Sequence, residues 1–195
     1  MTRLEKQIQF IEEVDKLKTI VRQTYIADGS RKENDAEHSW HLALMCVVLS
    51  EYSNEDIDIA KTMAMLLLHD IIEIDAGDTY AYDAEANTSK KERELAAAQR
   101  IFNILPEDQA KYFRALWDEF EEAKTPEAKF ANTLDKLQPV ILNNKSKGKS
   151  WREHQVKASQ IYERNKITPE GSESLWHYAK EVIKENIEKK NIIDK

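Results

Sequence analysis

The scarcity of glycine and proline is the feature that most restricts what this chain can fold into. Only four glycines and four prolines occur in 195 residues, about 4% together, whereas average usage of the two is about 12%. A β-sandwich or barrel turns back on itself about every 8–12 residues and draws on these residues for its turns. Long helices joined by few loops need little of either, so the composition predicts an all-α protein.

Apolar residues recur at helical spacing along most of the chain, and we predict about eight helices, no strand and one compact domain over 1–195. From Leu4 to Val21 they recur at steps of three or four, which predicts a helix over 2–25 that Asp28-Gly29-Ser30 ends. Thr-Pro-Glu at 125–127 and again at 168–170 gives an N-cap, a proline at N1 and an acid in the first turn. The other helices are expected at about 36–52, 54–74, 88–105 (capped by Thr88 or Ser89), 107–123, 126–143, 152–165 and 169–189, with a loop over 77–88.

Charge and cysteine usage exclude several partners. Lysine and arginine number 29 against 36 aspartates and glutamates, a formal net charge of −7. This balance argues against stable nucleic-acid binding, which needs a basic face, but not against small phosphorylated ligands. The longest apolar run, 42–49, is far shorter than the about 20 residues of a membrane span. Cys46 is the only cysteine, and we expect a core thiol in a cytoplasmic protein.

The third predicted helix ends in a group of ionisable residues. Residues 63–74 leave no polar face for almost three turns, yet His69, Asp70 and Glu73 lie among them at spacings that let them converge. Burying carboxylates is unfavourable by several kcal/mol unless they are paired or bind a metal. Asp75 and Asp78 follow, and no lysine or arginine lies between 62 and 89. The segment predicts a cation site; the alternative is a core histidine within a buried polar network.

Two other segments offer residues that could complete such a site. His38 lies in the first turn of the second helix and His41 one turn later, and the sequence does not choose between them. Asp135 lies at the edge of the apolar stripe of the helix predicted at 126–143. Pro139 has no N–H for the carbonyl of Asp135, so we expect a kink beside this acid.

Together these residues resemble a known family. His38, His69-Asp70 and Asp135 reproduce the H…HD…D order of the HD-domain metal-dependent phosphohydrolases. A longer set of matches is similar to the small HD proteins that are 5′-deoxynucleotidases: Leu17-Lys18-x-Ile20-x-Arg22, Arg31-x-Glu33-Asn34-x-x-Glu37-His38-Ser39, His69-Asp70-x-x-Glu73-x-x-x-Gly77-Asp78 and Asp135-Lys136-Leu137. The resemblance covers about residues 10–145, and we expect 151–195 to form C-terminal helices packed on that region.

The resemblance implies an all-α fold, a homodimer and one divalent transition metal. A donor set of two imidazoles and two carboxylates suits Mn²⁺, Co²⁺, Fe²⁺ or Zn²⁺. It implies hydrolysis of a (deoxy)nucleoside 5′-monophosphate by water that the metal activates. The implied roles are metal ligation by His38, His69, Asp70 and Asp135, general acid or base catalysis by Glu73, sugar contact or water orientation by Asp78, and phosphate binding by Arg22 and Lys136. For Lys136, a solvated lysine on a helix face is the alternative.

One position departs from the family pattern. In bacterial 5′-deoxynucleotidases a tryptophan follows the first-helix arginine and crowds the 2′ position of the sugar, whereas Gln23 stands here. A smaller polar side chain can tolerate or hydrogen-bond a 2′-OH. We therefore expect Gln23 to contact the sugar and discrimination against ribonucleotides to be weaker in this chain.

Two alternative functions remain open from the sequence. The same site could act on a nucleoside triphosphate or a nucleotide second messenger, with triphosphate or pyrophosphate as the product. In the other alternative, the chain is a non-catalytic helical binding protein whose histidines and acids form only a buried network.

Overall fold

Helices dominate this computed structural model, which describes residues 1–78 and 90–194, and the all-α prediction is confirmed. A single two-stranded sheet lies within the described residues, formed by β1 (Val21–Tyr25) and β2 (Lys32–Asn34). The helices are α1 (Arg3–Val14), α2 (Asp35–Leu49), α3 (Ile59–Leu68), α4 (Glu73–Ala76), α5 (Lys90–Phe102), α6 (Glu107–Glu122), α7 (Pro126–Lys145), α8 (Lys149–Glu153), α9 (Ala158–Arg164), α10 (Thr168–Gly171) and α11 (Glu173–Glu188).

The predicted first helix over 2–25 is wrong in its second half, and so is the prediction that no strand occurs. α1 ends at Val14, a 3-10 turn covers Asp15–Thr19, and the chain then forms an antiparallel hairpin. Asp28 and Gly29 make the turn of the hairpin and not the end of a helix. The N–H of Gly29 donates to the carbonyl of Ile26 at 2.8 Å, and its φ of 72° is one that glycine adopts readily.

The predicted third helix is also shorter than expected. It begins at Ile59, where the side chain of Asp58 accepts a hydrogen bond from the N–H of Lys61, and it ends at Leu68. A turn over 69–72 separates it from α4, so His69 and Asp70 lie on a break between helices. Residues 79–89 are not among the described residues, so the predicted loop over 77–88 from residue 79 onward and the predicted caps at Thr88 or Ser89 lie outside them.

Both C-terminal helices predicted from the sequence are split in two. Gln155, at a φ of 50°, lies between α8 and α9, and Ser172 lies between α10 and α11, where its hydroxyl accepts from the N–H of Leu175. Gly171 is the last residue of α10, and a Cβ at this position would lie 2.4 Å from the carbonyl oxygen of Lys129. The backbone of α10 therefore packs directly on α7.

α7 lies at the centre of the fold and contacts α2, α3, α6, α10 and α11. It runs unbroken through Pro139, and most of its first three turns are buried. Its later part also contacts a second apolar cluster made by the C-terminal helices, which includes Trp151, Ile161 and Ile183. Within the described residues no helix is both long enough and apolar enough to cross a bilayer.

Candidate metal centre and cleft

Three side chains from separate elements converge beside α7. His38 comes from α2, His69 from the turn after α3, and Asp135 from α7, and one ligand atom of each lies within 4.8 Å of the other two. His38 Nε2 is 3.1 Å from Asp135 Oδ1, and His69 Nε2 is 3.8 Å from the same oxygen. Two imidazole nitrogens and a carboxylate oxygen at this separation can hold a divalent cation.

The start of α2 decides which of its two histidines enters this group. Asn34 caps the helix by accepting from the N–H of Glu37, and Glu37 returns a contact to the N–H of Asn34. This cap fixes the first turn, so that His38 is fully buried and faces the centre. His41 points elsewhere, with Nδ1 3.3 Å from Gln138 Nε2. The structure therefore places His38, and not His41, beside His69 and Asp135.

The orientation of His69 leaves one nitrogen available to a ligand. Its Nδ1 donates to the carbonyl of Leu66 at 2.8 Å, while the ring packs on Phe120 with centroids 4.9 Å apart. Nε2 then faces the carboxylates and has no hydrogen-bond partner although it is buried. A histidine anchored at one nitrogen and unpartnered at the other is the arrangement found in metal ligands.

Asp70 lies next to this group but is turned toward Arg22. Its Oδ2 accepts from Arg22 Nη1 at 2.6 Å and is 3.2 Å from His69 Nε2. The same Nη1 donates to Asp35 Oδ1 at 3.0 Å. The same oxygen of Asp70 therefore lies within reach of the centre and accepts a hydrogen bond from a buried guanidinium. The assignment of Asp70 as a fourth ligand stays a prediction.

The charges around the centre favour a cation. Burial alone would lower the pKa of His69, but the adjacent Asp70 and Asp135 raise it to about 10. Burial would raise the pKa of Asp135, yet the hydrogen bond to His38 and the nearby imidazole of His69 hold it well below its usual range. Negative charge in excess of the nearby positive charge draws a proton onto the imidazole. The donor set, the unpartnered nitrogen and this excess charge together fit a divalent metal ion.

A cleft of about 230 Å³ opens over the centre, and Glu73 and Asp78 lie on its wall. Glu73 is buried and its Oε2 has no hydrogen-bond partner. Burial, reinforced by the charge of Asp70, raises the pKa of Glu73 to about 9. Burial likewise raises the pKa of Asp78, with Arg22 opposing the shift. Both carboxyl groups therefore line the same cleft as His69 and Asp70.

A second, smaller cleft of about 70 Å³ adjoins the first, and Gln23 lies on its wall. Gln23 Oε1 accepts from Lys32 Nζ at 2.5 Å, which holds the amide against the hairpin. Lys136 lines both clefts, and its Nζ donates to Asn132 Oδ1 at 2.9 Å. Burial lowers the pKa of Lys136, so the alternative of a solvated helix-face lysine is not what the structure shows.

The sequence reasoning missed a layer of buried groups behind the centre. Glu33 lies 3.5 Å from His38 Nδ1 and accepts from Gln138 Nε2 at 2.6 Å, and Asp35 is fully buried against Arg22. Glu33 belongs to the motif before His38, so its place in that motif was a usable signal. Arg164 lines both clefts from α9. It belongs to no sequence motif, so no signal in the sequence indicated its place in the site.

Relatives of known name have similar sequences. The chain is 30% identical to the 5′-deoxynucleotidase HDDC2 of Bos taurus over 69% of its own length, and 29% identical to that of Homo sapiens over 69%. The chain spans 64% and 65% of the length of these two relatives, just under two thirds.

A solved structure and a family model match more of the chain. The crystal structure of a predicted metal-dependent phosphohydrolase from Magnetospirillum magnetotacticum is 44% identical, with a TM-score of 0.94, covering 98% of this chain and 96% of that one. The model of the HD domain matches residues 14–176, which include every residue of the centre. The chain therefore belongs to the HD-domain family.

Proposed function

We propose that this chain is a metal-dependent phosphomonoesterase that hydrolyses deoxynucleoside 5′-monophosphates to a nucleoside and orthophosphate. The observation that carries the proposal is the convergence of His38, His69 and Asp135 beside a cleft that His69 and Asp135 line together with Glu73 and Asp78. The 5′-deoxynucleotidase relatives support the substrate class.

One divalent transition metal fits the donor set, and Mn²⁺, Co²⁺, Fe²⁺ and Zn²⁺ are the candidates. His38, His69 and Asp135 would hold it, with Asp70 as the fourth ligand. When bound, the metal polarises the phosphoryl group and makes water a stronger nucleophile. Glu33 keeps the ring of His38 in place from its Nδ1 side, since the two groups lie 3.5 Å apart.

The remaining residues of the cleft handle the substrate and the proton. Arg22 and Lys136 place positive charge where the phosphate enters, and both line the two adjoining clefts. The leaving 5′ oxygen needs a proton when its bond to phosphorus breaks. Glu73, whose Oε2 is unpartnered at the cleft wall, supplies it, and Asp78 orients the sugar or the attacking water.

The experiment that tests this proposal is phosphate release from a panel of nucleotides. The protein is stripped with a chelator, reloaded with Mn²⁺, Co²⁺, Zn²⁺ or Mg²⁺, and assayed on deoxy- and ribonucleoside mono- and triphosphates. Asp70→Ala, checked for folding by circular dichroism, serves as the inactive variant, and Asp118→Ala, a half-exposed carboxylate paired with Arg114, is the matched control.

Each outcome of the panel decides between functions. Metal-dependent release of orthophosphate from monophosphates, lost in Asp70→Ala only, is the expected result. Triphosphate or pyrophosphate as the product would move the substrate to nucleoside triphosphates or second messengers. Full turnover in Asp70→Ala would refute the assigned centre. If the wild-type protein binds no metal, a non-catalytic binding protein would be favoured.

We also propose that the chain forms a homodimer through α2. Trp40, Leu44, Val47 and Val48 recur at helical spacing on this helix and are 47–64% exposed. An apolar stripe of this kind on an exposed helix face favours association with an equivalent stripe. Light scattering should give twice the chain mass of 22.7 kDa for the wild type and the single mass for Val47→Glu. A Val47→Glu variant that keeps the wild-type mass would exclude this face.

A further inference from the structure

Arg164 stands apart from the other cations of the site because no carboxylate among the described residues pairs with it. It ends α9 and is half-buried, and its side chain lines both the cleft over the metal centre and the adjoining cleft. Within residues 1–78 and 90–194 its guanidinium makes no hydrogen bond and has no carboxylate oxygen within 4.0 Å. By contrast Arg3, Arg31 and Arg100 each bind a carboxylate.

The charges nearest to Arg164 make this isolation more unfavourable. Its positive charge is opposed by those of Lys136 and Lys90, which lie within electrostatic reach across the cleft. Asp78 attracts it but forms no ion pair with it. Like charges held together at a half-buried position create a site whose free energy falls when an anion enters.

The position of Arg164 identifies which part of a ligand would bind there. Among the described residues, four side chains line both clefts and mark the junction between the two: Arg22, Asp78, Lys136 and Arg164. On one side of the junction lies the metal centre. On the other side Trp151, Ile161 and Val140 give an apolar wall, with Asn143 and Asn165 as polar groups. A nucleotide placed with its phosphate at the junction would reach the metal centre with the phosphate and the apolar wall with its base.

Resting on the proposed function, we propose that Arg164 binds the phosphate of a nucleoside monophosphate and positions it between the two clefts. Arg22 is already held by Asp70 and Asp35, whereas the guanidinium of Arg164 forms no ion pair with a carboxylate in the part of the chain that the structure describes. A planar guanidinium can bind two phosphate oxygens at once. The C-terminal helices therefore contribute a substrate-binding residue to a site built mainly from α2 to α7.

The test measures phosphate binding and does not depend on turnover. Inorganic phosphate is titrated by calorimetry into protein that carries one equivalent of Mn²⁺, for the wild type, Arg164→Gln, Arg164→Lys and Lys166→Gln. Lys166 is the matched control, since it follows Arg164 by two residues and its side chain is 65% exposed and paired with Glu163. The thermal midpoint of each phosphate-free variant is measured in parallel.

We expect Arg164→Gln to bind phosphate at least about tenfold more weakly, Arg164→Lys to recover part of the loss, and Lys166→Gln to match the wild type. Removing an unpaired charge should leave the midpoint of Arg164→Gln unchanged or raised, whereas a merely structural role would lower it. Wild-type affinity in Arg164→Gln, equal weakening in Lys166→Gln, or no binding by the wild type would each overturn the inference. If Arg164-dependent binding is found but no nucleotide is hydrolysed, the anion site stands and the proposed hydrolysis fails.

Discussion

Replacing Arg22 by glutamine should destabilise the metal-free protein more than any change of a surface charge. The guanidinium of Arg22 is almost fully buried, and its Nη1 donates to Asp70 at 2.6 Å and to Asp35 at 3.0 Å. The side chain of Asp70 is 14% exposed and that of Asp35 is fully buried. Glutamine keeps a hydrogen-bonding group there but leaves Asp35 without its cation and Asp70 with only the imidazole of His69, 3.2 Å away.

The size of the effect follows from this burial. Removing one partner of a buried ion pair destabilises a protein by about 3–5 kcal/mol, because the other charge stays desolvated and unpaired. For a chain of this length each kcal/mol shifts the thermal midpoint by about 2–4 °C. Arg22→Gln should therefore lower the midpoint of the metal-free protein by about 6–20 °C. Asp35→Asn, added to Arg22→Gln, should restore part of this loss because it removes one of the stranded charges.

The assay is urea and thermal unfolding of chelator-stripped protein, followed by circular dichroism. Arg31→Gln is the matched control: Arg31 also binds a carboxylate, Glu37, at 2.6 Å and 2.8 Å, but the pair is exposed. Its loss should change the free energy of unfolding by less than about 1 kcal/mol. Two results would contradict a buried charge balance at the centre. One is a loss of unfolding free energy in Arg22→Gln no larger than that in Arg31→Gln. The other is a further loss when Asp35→Asn is added to Arg22→Gln.

Three further changes test other parts of the structure. Gly171→Ala should destabilise the protein by about 1–3 kcal/mol in urea unfolding, because its Cβ would meet the Lys129 carbonyl at 2.4 Å; unchanged stability would contradict the close contact of α10 with α7. Gln23→Trp should raise the ratio of deoxy- to ribonucleotide turnover measured as phosphate release, and an unchanged ratio would remove Gln23 from the sugar site. Cys46, fully buried and with its pKa raised by burial to about 11, should react with a disulfide reagent at pH 8 only when urea unfolds the chain; rapid reaction of the native protein would contradict its burial.

Most of the helices could be predicted from the sequence because apolar spacing and cap chemistry agree along them. Glu107–Glu122 and Pro126–Lys145 were predicted to within about two residues at each end. The hairpin at Val21–Tyr25 was missed since its apolar residues continue the helical spacing of α1, and an Asp-Gly pair ends a helix as readily as it turns a hairpin. The break at 69–72 was missed because a continuous apolar run carries no period that marks an end.

The centre was predictable only in part. His69, Asp70 and Glu73 could be found from the unfavourable burial of charge, and the family resemblance added His38 and Asp135. Apolar spacing alone could not choose His38 over His41, because the rotation of α2 is fixed in three dimensions by its cap, and only the resemblance made that choice from the sequence. Arg164 reaches the clefts through packing between distant helices, and no pattern near it in the sequence reports this. The cytoplasmic location stays a prediction.

Hydrolysis at a single metal centre can be tested by one titration. Stripped protein is titrated with Co²⁺ while its visible absorption and its release of phosphate from a deoxynucleoside monophosphate are followed together. We expect both signals to rise in parallel and to saturate at one equivalent per chain, and both to be lost in His69→Gln. Phosphate release without added metal, or release that His69→Gln retains, would contradict the account.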